Sequence, residues 1–160
     1  MLEIRLLNDS DVQTVETWLN KDHVKKWYEV PGLCSIDDWV AEIKERNDEY
    51  RFITHFIAEL DKYPIGFCQY YRCTDVEEDW NENIPLDGTY SIDYLIGDES
   101  FIGKGFGKSM IALLVDKVFS LQDAEKIIVR PDNDNYASNQ SLLSVGFHFD
   151  EKNNFYIMTK

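Results

Sequence analysis

The run Ile102-Gly103-Lys104-Gly105-Phe106-Gly107-Lys108, followed by the apolar stretch Met110-Ile111-Ala112-Leu113-Leu114-Val115, holds the densest chemical potential in this sequence. Three glycines in five positions let a backbone turn tightly and bring its N–H groups close to a ligand, and a helix behind them adds unpaired donors and the positive end of its dipole. Lys104 and Lys108 back those fixed dipoles with mobile cations, a combination suited to a pyrophosphate. The pattern is neither a Walker A loop nor Gly-x-Gly-x-x-Gly. A plain glycine-rich turn into a helix contains the same residues, so the loop by itself leaves both readings open.

Asp93 is the second candidate. It interrupts Thr89-Tyr90-Ser91-Ile92-Asp93-Tyr94-Leu95-Ile96, a segment otherwise made of good strand formers, where aspartate is depleted and, if buried, needs a partner. A carboxylate placed there can accept a proton from an ammonium group or fix it in position, and amines are nucleophilic only when neutral. A structural aspartate bonded to nearby amides is the competing reading.

The charge balance narrows the partners. With 30 acids against 16 bases the net charge is −14, which opposes nucleic acid and anionic membranes and favours a cationic partner, although solubility alone also accounts for it. Asp75, Glu77, Glu78, Asp79, Glu82 and Asp87 crowd one loop, while acids such as Glu42 read as remote from it. The glycine-lysine run is the locally basic element near the middle of the chain, so the field is arranged for two ligands of opposite sign. Three cysteines (Cys34, Cys68, Cys73) are odd in number, have no metal-ligand spacing with the three histidines, and read as reduced; no metal is expected. Met1-Leu2-Glu3-Ile4-Arg5-Leu6 alternates as a strand does and no apolar run approaches 18 residues, so the expectation is a cytoplasmic protein without leader or membrane span. Nothing in the sequence speaks to oligomeric state.

At 160 residues the chain reads as one domain, residues 1–160, able to bury a single sizeable core. Residues 2–7 alternate as a strand; Asn8 to Asp11 offer capping side chains to a helix carrying Val12, Val15, Trp18 and Leu19 at helical spacing. Ser35 with Asp38 forms a capping-box pattern opening a helix to about Asn47. Strands follow over 51–59, 65–73 and 89–96, the first two joined by the turn Leu60 to Pro64. A helix over 105–120, a strand over 126–130, a helix over about 135–145 and a hairpin tipped by Lys152-Asn153-Asn154 complete the order. The expected class is α/β (α+β): a mixed, mostly antiparallel sheet of about six to seven strands flanked by about four helices.

That order, with the glycine loop at the start of the central helix, resembles the GNAT acyltransferase superfamily, whose coenzyme A loop reads Gln/Arg-x-x-Gly-x-Gly/Ala; position 102 is Ile here where the superfamily usually has Gln or Arg. Further segments resemble its aminoglycoside 6'-N-acetyltransferase branch: Trp18-Leu19-Asn20 with His23-Val24 and Trp27, Pro64-Ile65-Gly66 with Gln69 and Tyr71, Asp79-Trp80, Ile92-Asp93, the glycine loop, and Asn135 with Gly146-Phe147. The resemblance implies an acetyl-CoA-dependent N-acetyltransferase that transfers acetyl directly to an amine. It places the diphosphate on Ile102, Gly103, Lys104, Gly105, Phe106, Gly107 and Lys108, and pantetheine along the backbone of Tyr94, Leu95 and Ile96. It makes Asp93 the catalytic carboxylate, draws the oxyanion donor from the backbone around Leu95, and brings Asn135 and Asn139 to the coenzyme, with helix capping as the alternative for Asn135. Trp27, Gln69, Tyr71, Asp79, Trp80, Asp93, Arg130 and Asp132 are the implied acceptor contacts.

Two departures bear on that reading. Many members protonate the leaving thiolate with a tyrosine four residues before Gly-Phe, and here that position is Leu142; Tyr136 lies on another helical face. Where the branch has an Asp before the proline ending the fifth strand, this chain has Arg130-Pro131-Asp132, a reversal of charge in a pocket for polycations. Trp27, Tyr28, Trp39, Tyr70, Tyr71 and Trp80 offer an aromatic wall, with Trp18 and Trp39 assigned to the core; His23, His55 and His148 receive no role. Other amines (a polyamine, a siderophore precursor, a protein N-terminus) remain alternative acceptors, and a non-catalytic acyl-CoA-binding module is the alternative from outside enzymes.

Overall fold

The computed structural model describes residues 1–80 and 84–160, so Glu82 of the acidic loop lies outside the described residues. The chain runs β1 (Leu2–Leu6), α1 (Val12–Leu19), α2 (Asp22–Tyr28), α3 (Ile36–Lys44), β2 (Ile53–Leu60), β3 (Tyr63–Arg72), β4 (Thr89–Ile96), α4 (Phe106–Phe119), β5 (Lys126–Val129), α5 (Tyr136–Val145), β6 (His148–Asp150) and β7 (Phe155–Thr159). All seven strands join one sheet in the order β1-β2-β3-β4-β5-β7-β6. Its pairs are antiparallel except β4 with β5.

Period-two alternation divides the core between the two faces of the sheet. Ile57, Phe67 and Leu95 pack with Val15, Leu19, Val24, Val40 and Ile43 under α1, α2 and α3. Phe56, Cys68, Tyr90 and Ile92 pack with Met110, Ile111, Leu114 and Leu142 under α4 and α5. Trp18 fixes α1 to the end of β4, because a side chain at Gly97 would collide with its indole ring.

The elements follow the sequence with instructive differences. α2 was not expected: it is seven residues long, buries only Val24, and follows an N-cap residue, Lys21, that makes no side-chain cap, so it carries too little periodicity to stand out. α3 stops at Lys44 rather than Asn47, and β2 begins at Ile53. The capping patterns form as read: Ser35 and Asp38 make a reciprocal box, and Asn8 and Asp11 do the same before α1. The β2–β3 turn tightens to two residues, Asp61 and Lys62, both at positive φ (50° and 73°), leaving Leu60 opposite Tyr63 as a right-twisted hairpin requires.

β4 pairs with β3 from Tyr90 to Ile96, but with β5 only at Thr89 and Tyr90. Beyond Tyr90 the two parallel strands part, and β4 turns an unpaired edge toward the gap.

At the far edge, Arg5 donates to both oxygens of the buried Asp11 (2.7 and 2.9 Å) and lies 3.1 Å from Glu59. The Arg5 hydrogen bonds hold the Asp11 carboxyl below its ordinary pKa, against the opposing effect of burial. Arg5→Met should therefore cost about 2 kcal/mol at pH 7, less than a fully buried pair because Arg5 keeps part of its surface in water. A folded-state pKa below the unfolded one gives stability that is present above the unfolded value and lost as pH falls through the folded value. The loss in thermal midpoint should accordingly shrink on acidification; an equal loss at both pH values would assign it to packing.

Candidate active site

The gap between β4 and β5 opens into a cleft of about 1000 Å³, walled by α2, the acidic segment before β4, and the facing turns of α4 and α5. Asp93 lines it. The carboxylate accepts a 2.9 Å hydrogen bond from Gln69 Nε2, one strand away at the directly opposite register position. Burial raises the Asp93 pKa to about 7; the Gln69 bond opposes that rise and the Glu78 charge adds to it. A carboxylate poised near neutrality beside an open cleft can take up and release a proton at physiological pH.

Glu42, read from the sequence as remote, belongs to the same electrostatic cluster. It is half-buried on α3, and burial followed by the charges of Asp93, Asp38 and Glu78 raises its pKa to about 7. The capping box gave the helix but not its orientation; only the tertiary packing of α3 over the sheet shows that Trp39 lines the cleft, with Glu42 three residues on. Tyr71, buried and lining the cleft, donates to Glu78 at 2.7 Å and so fixes one of these carboxylates.

The backbone of β4 corrects one expectation. Gly97 N–H donates to Ile65 O at 2.8 Å, and these residues continue the register that pairs Leu95 with Phe67. Antiparallel pairing alternates, so Asp93, Leu95 and Gly97 direct their N–H and C=O groups to β3, while Tyr94 and Ile96 direct theirs to the gap. The Leu95 N–H is thus committed within the sheet, and the N–H groups of Tyr94 and Ile96 are the ones that face the gap. The carbonyls on this open edge are engaged by side chains, Tyr94 O by the Tyr28 hydroxyl and Ile96 O by His23 Nε2 at 2.9 Å.

The glycine loop has the geometry its composition implied. Gly103 and Gly105 stand at φ 76° and 82°, and Gly105 is the N-cap of α4, leaving the first N–H groups of that helix without intrahelical partners. Ile102 and Gly107 line the cleft, whereas Gly103, Lys104, Gly105 and Lys108 are exposed beside it and Phe106 packs on Phe101. The Lys104 ammonium rests 5.8 Å over the Phe101 ring.

Several predicted contacts sit differently from an open binding surface. Gln69 is 2 % exposed and outside the cleft lining; it holds Asp93 rather than facing an acceptor. Trp80 lines the cleft but is 6 % exposed, edge-on to Phe155 and 5.2 Å beneath the Arg130 guanidinium. Arg130 lines the cleft as read, and its guanidinium is at the same time engaged by four backbone carbonyls, donating to Asp79 (2.8 Å), Trp80 (2.6 Å), Asn153 (3.0 Å) and Asn154 (3.1 Å). It clamps the acidic segment to the β6–β7 turn, and the four carbonyl dipoles offset its charge. Trp27 and Asp79 keep positions on the lining, and Asp132 does too while its carboxylate caps the Asp134 N–H at 2.9 Å.

At the α5 wall, Asn135 lines the cleft and caps its helix through Ser138 N–H. Asn139 is outside the lining, its amide donating to Asp132 O and Asn135 O and accepting from Tyr156, which commits it to the fold. Leu142 is fully buried in the core and offers no proton. One helical turn before it, Ser138 Oγ and the Tyr94 hydroxyl lie 2.5 Å apart. Tyr136, at 74 % exposure, points elsewhere. Among the described residues no cluster of His, Cys, Asp and Glu is placed to hold a metal ion, and no helix is long and apolar enough to cross a membrane.

A sheet whose parallel strands part beside a glycine loop, with a near-neutral carboxylate at the opening, defines an acyl-transfer site of the GNAT type. Residues 8–155 match the acetyltransferase (GNAT) domain model, and the chain belongs to that family of acetyltransferases. It is 26 % identical over 149 residues to the aminoglycoside N(6')-acetyltransferase type 1 of Klebsiella pneumoniae, and equally to that of Serratia marcescens, covering 90 % of this chain and 72 % of each relative. The structure of AAC(6')-Ib with coenzyme A and kanamycin superposes with a TM-score of 0.80 at 24 % identity, covering all of this chain and 95 % of that one. The ribostamycin and coenzyme A complex gives 0.82 at 23 %, covering 99 % and 93 %.

Proposed function

We propose that this chain is an acetyl-CoA-dependent N-acetyltransferase whose acceptor is a small polycation, an aminoglycoside acetylated on its 6'-nitrogen being the best-supported choice. The observation that carries the reading is the set of carboxylates, Asp93, Glu78 and Glu42, whose charges act on one another around the cleft beside the open edge of β4. Mutual repulsion among them is relieved by a ligand with two or more ammonium groups, and the relatives named above act on such molecules. The glycine loop, with the free donors of α4 and the two lysines, takes the diphosphate of the cosubstrate. In the reaction the acceptor gives a proton to Asp93, its nitrogen lone pair attacks the thioester carbonyl carbon, and the N–H groups of Tyr94 or Ile96 meet the developing oxyanion. The C–S bond then breaks with its electron pair on sulfur. Tyr94, kept protonated by burial and braced by Ser138, gives its hydroxyl proton to that thiolate, and the acylated nitrogen, which still carries one proton more than the amide holds, returns a proton to the tyrosine oxygen.

Thiol release from acetyl-CoA in the presence of kanamycin, ribostamycin, a polyamine, a hydroxamate-siderophore precursor and an N-terminal peptide tests the reading. Turnover should be greatest with the aminoglycosides, each gaining one acetyl group. Tight coenzyme A binding without turnover on any amine would make the chain a binding module, and preference for a carboxylate-bearing acceptor would replace the aminoglycoside. Glu42→Gln and Glu78→Gln should each raise KM for kanamycin several-fold and for a monoamine much less, with the difference diminishing as salt screens the cleft. Equal effects on both acceptors would remove these residues from recognition.

A further inference from the structure

His55 is buried at 3 % exposure on β2, next to the edge strand β1, yet neither of its ring nitrogens has a hydrogen-bond partner among the described residues. The same is true of one other group nearby, Gln69 Oε1, on a side chain that is itself 2 % exposed. These orphaned groups are register neighbours: His55 on β2 faces Gln69 on β3, and Gln69 faces Asp93 on β4. Directly opposed positions share a face of the sheet, so the three side chains form a row that ends at the cleft. Buried donors and acceptors are almost always paired, and a row holding an unpaired acceptor beside an unpaired donor has an evident way to satisfy both.

We infer that His55 is a positioning residue for Asp93, acting through Gln69: an imidazole N–H satisfies Gln69 Oε1, directly or through one bound water, and so orients the amide with its NH2 toward the carboxylate. The inference rests on the role proposed above for Asp93. A glutamine amide can turn about its last bond, and the turned form would present its oxygen to the Asp93 oxygens. A partner on the Oε1 side removes that alternative. The imidazole suits this task because burial, assisted by the Arg46 charge, lowers its pKa to about 4, so the ring is neutral and has one N–H to give. Its face stacks on Phe67 at 5.9 Å between centroids, which fixes the ring plane.

Burial, the Gln69 hydrogen bond and the Glu78 charge from the acidic segment act on Asp93, and its own charge in turn reaches Glu42 from α3, Tyr28 from α2, Cys34 from the loop before α3, Tyr71 from β3 and Tyr94 beside it on β4. Burial and then the Glu78 charge disfavour its ionised form, and Gln69 is the group that opposes them. Losing the oriented amide should therefore move the Asp93 pKa upward by about one unit, the size expected for one hydrogen bond to a charged group.

The test uses His55→Phe, which keeps the ring volume and the stack on Phe67 but has no N–H, and His55→Gln, which keeps a donor. Asp93 is titrated by carbon NMR of its carboxyl in the full-length protein saturated with coenzyme A, and kcat/KM is followed against pH with kanamycin. In His55→Phe the Asp93 titration should rise by about one pH unit and the acid limb of kcat/KM should follow, while the thermal midpoint should fall because the buried Gln69 Oε1 is left without its donor. His55→Gln should return both toward wild type. An unchanged Asp93 titration in His55→Phe, or an identical shift in the two variants, would overturn the inference. Because the NMR titration needs no acceptor, it decides the matter even if wild-type protein turns over none of the amines, an outcome that would count against the proposed function instead.

Discussion

Asp93→Asn should lower kcat by about 10²- to 10⁴-fold while leaving coenzyme A affinity essentially unchanged, the range that a positioned general base contributes. The substitution keeps the side-chain shape and the partner Gln69 but removes both the charge and the ability to accept a proton. Burying an amide in place of a carboxylate relieves desolvation, so the thermal midpoint should hold or rise, separating a chemical loss from unfolding. The pH dependence carries the sign. Asp93 must be ionised to receive the proton, and with its pKa near 7 the wild-type kcat/KM should fall as pH drops through that value. Asp93→Asn should lack this limb. A deficit that narrows at high pH, where the acceptor amine is already neutral, identifies deprotonation as the main task; a deficit that persists identifies positioning. A variant with wild-type turnover would return Asp93 to a structural role.

Which of these features the sequence made legible depended on how local their physics is. The glycine loop and its helix were readable because alternating glycines and an apolar run declare a turn and a helix within a few residues, and Gly103 and Gly105 do adopt positive φ. The capping boxes at Asn8 and Ser35 were readable for the same reason. Asp93 stood out as a charged residue in a strand pattern, but its pairing with Gln69, which the resemblance assigned to the acceptor, did not, because strand register is set by the whole sheet. Register also decides which backbone groups face the gap, and so turns the N–H of Leu95 into the sheet and those of its neighbours outward.

Arg130 and Glu42 show the limit from the side of charge. Sequence counted both by sign alone: Arg130 as a cation set against the acceptor, Glu42 as a distant acid. The guanidinium is occupied by four carbonyls from two separate segments, and the carboxylate is carried inward by the packing of α3. Neither arrangement has a signature within a window of neighbouring residues. The short helix α2 belongs to the same class, since its place over the cleft comes from tertiary contact rather than from periodicity.

Gly105→Val should weaken coenzyme A binding by at least about tenfold, measured calorimetrically, with little change in the fold of the sheet. Gly105 stands at φ 82°, a conformation strained for any β-branched residue by about 1–3 kcal/mol, although no neighbour would obstruct the added atoms. Open space matters to the argument: because there is no clash to repair, the chain can relieve the strain only by rotating the backbone at the helix N-cap, which turns the leading N–H groups of α4 away from the diphosphate. Gly105→Ala should lie between the two, since it shares the φ penalty without the second branch. Lys104→Ala should cost less than either and its effect should fade with added salt, as expected for an exposed cation whose contribution is screened. Equal losses at Gly105 and Lys104, or a salt-dependent loss at Gly105, would mean that charge and not backbone geometry holds the diphosphate.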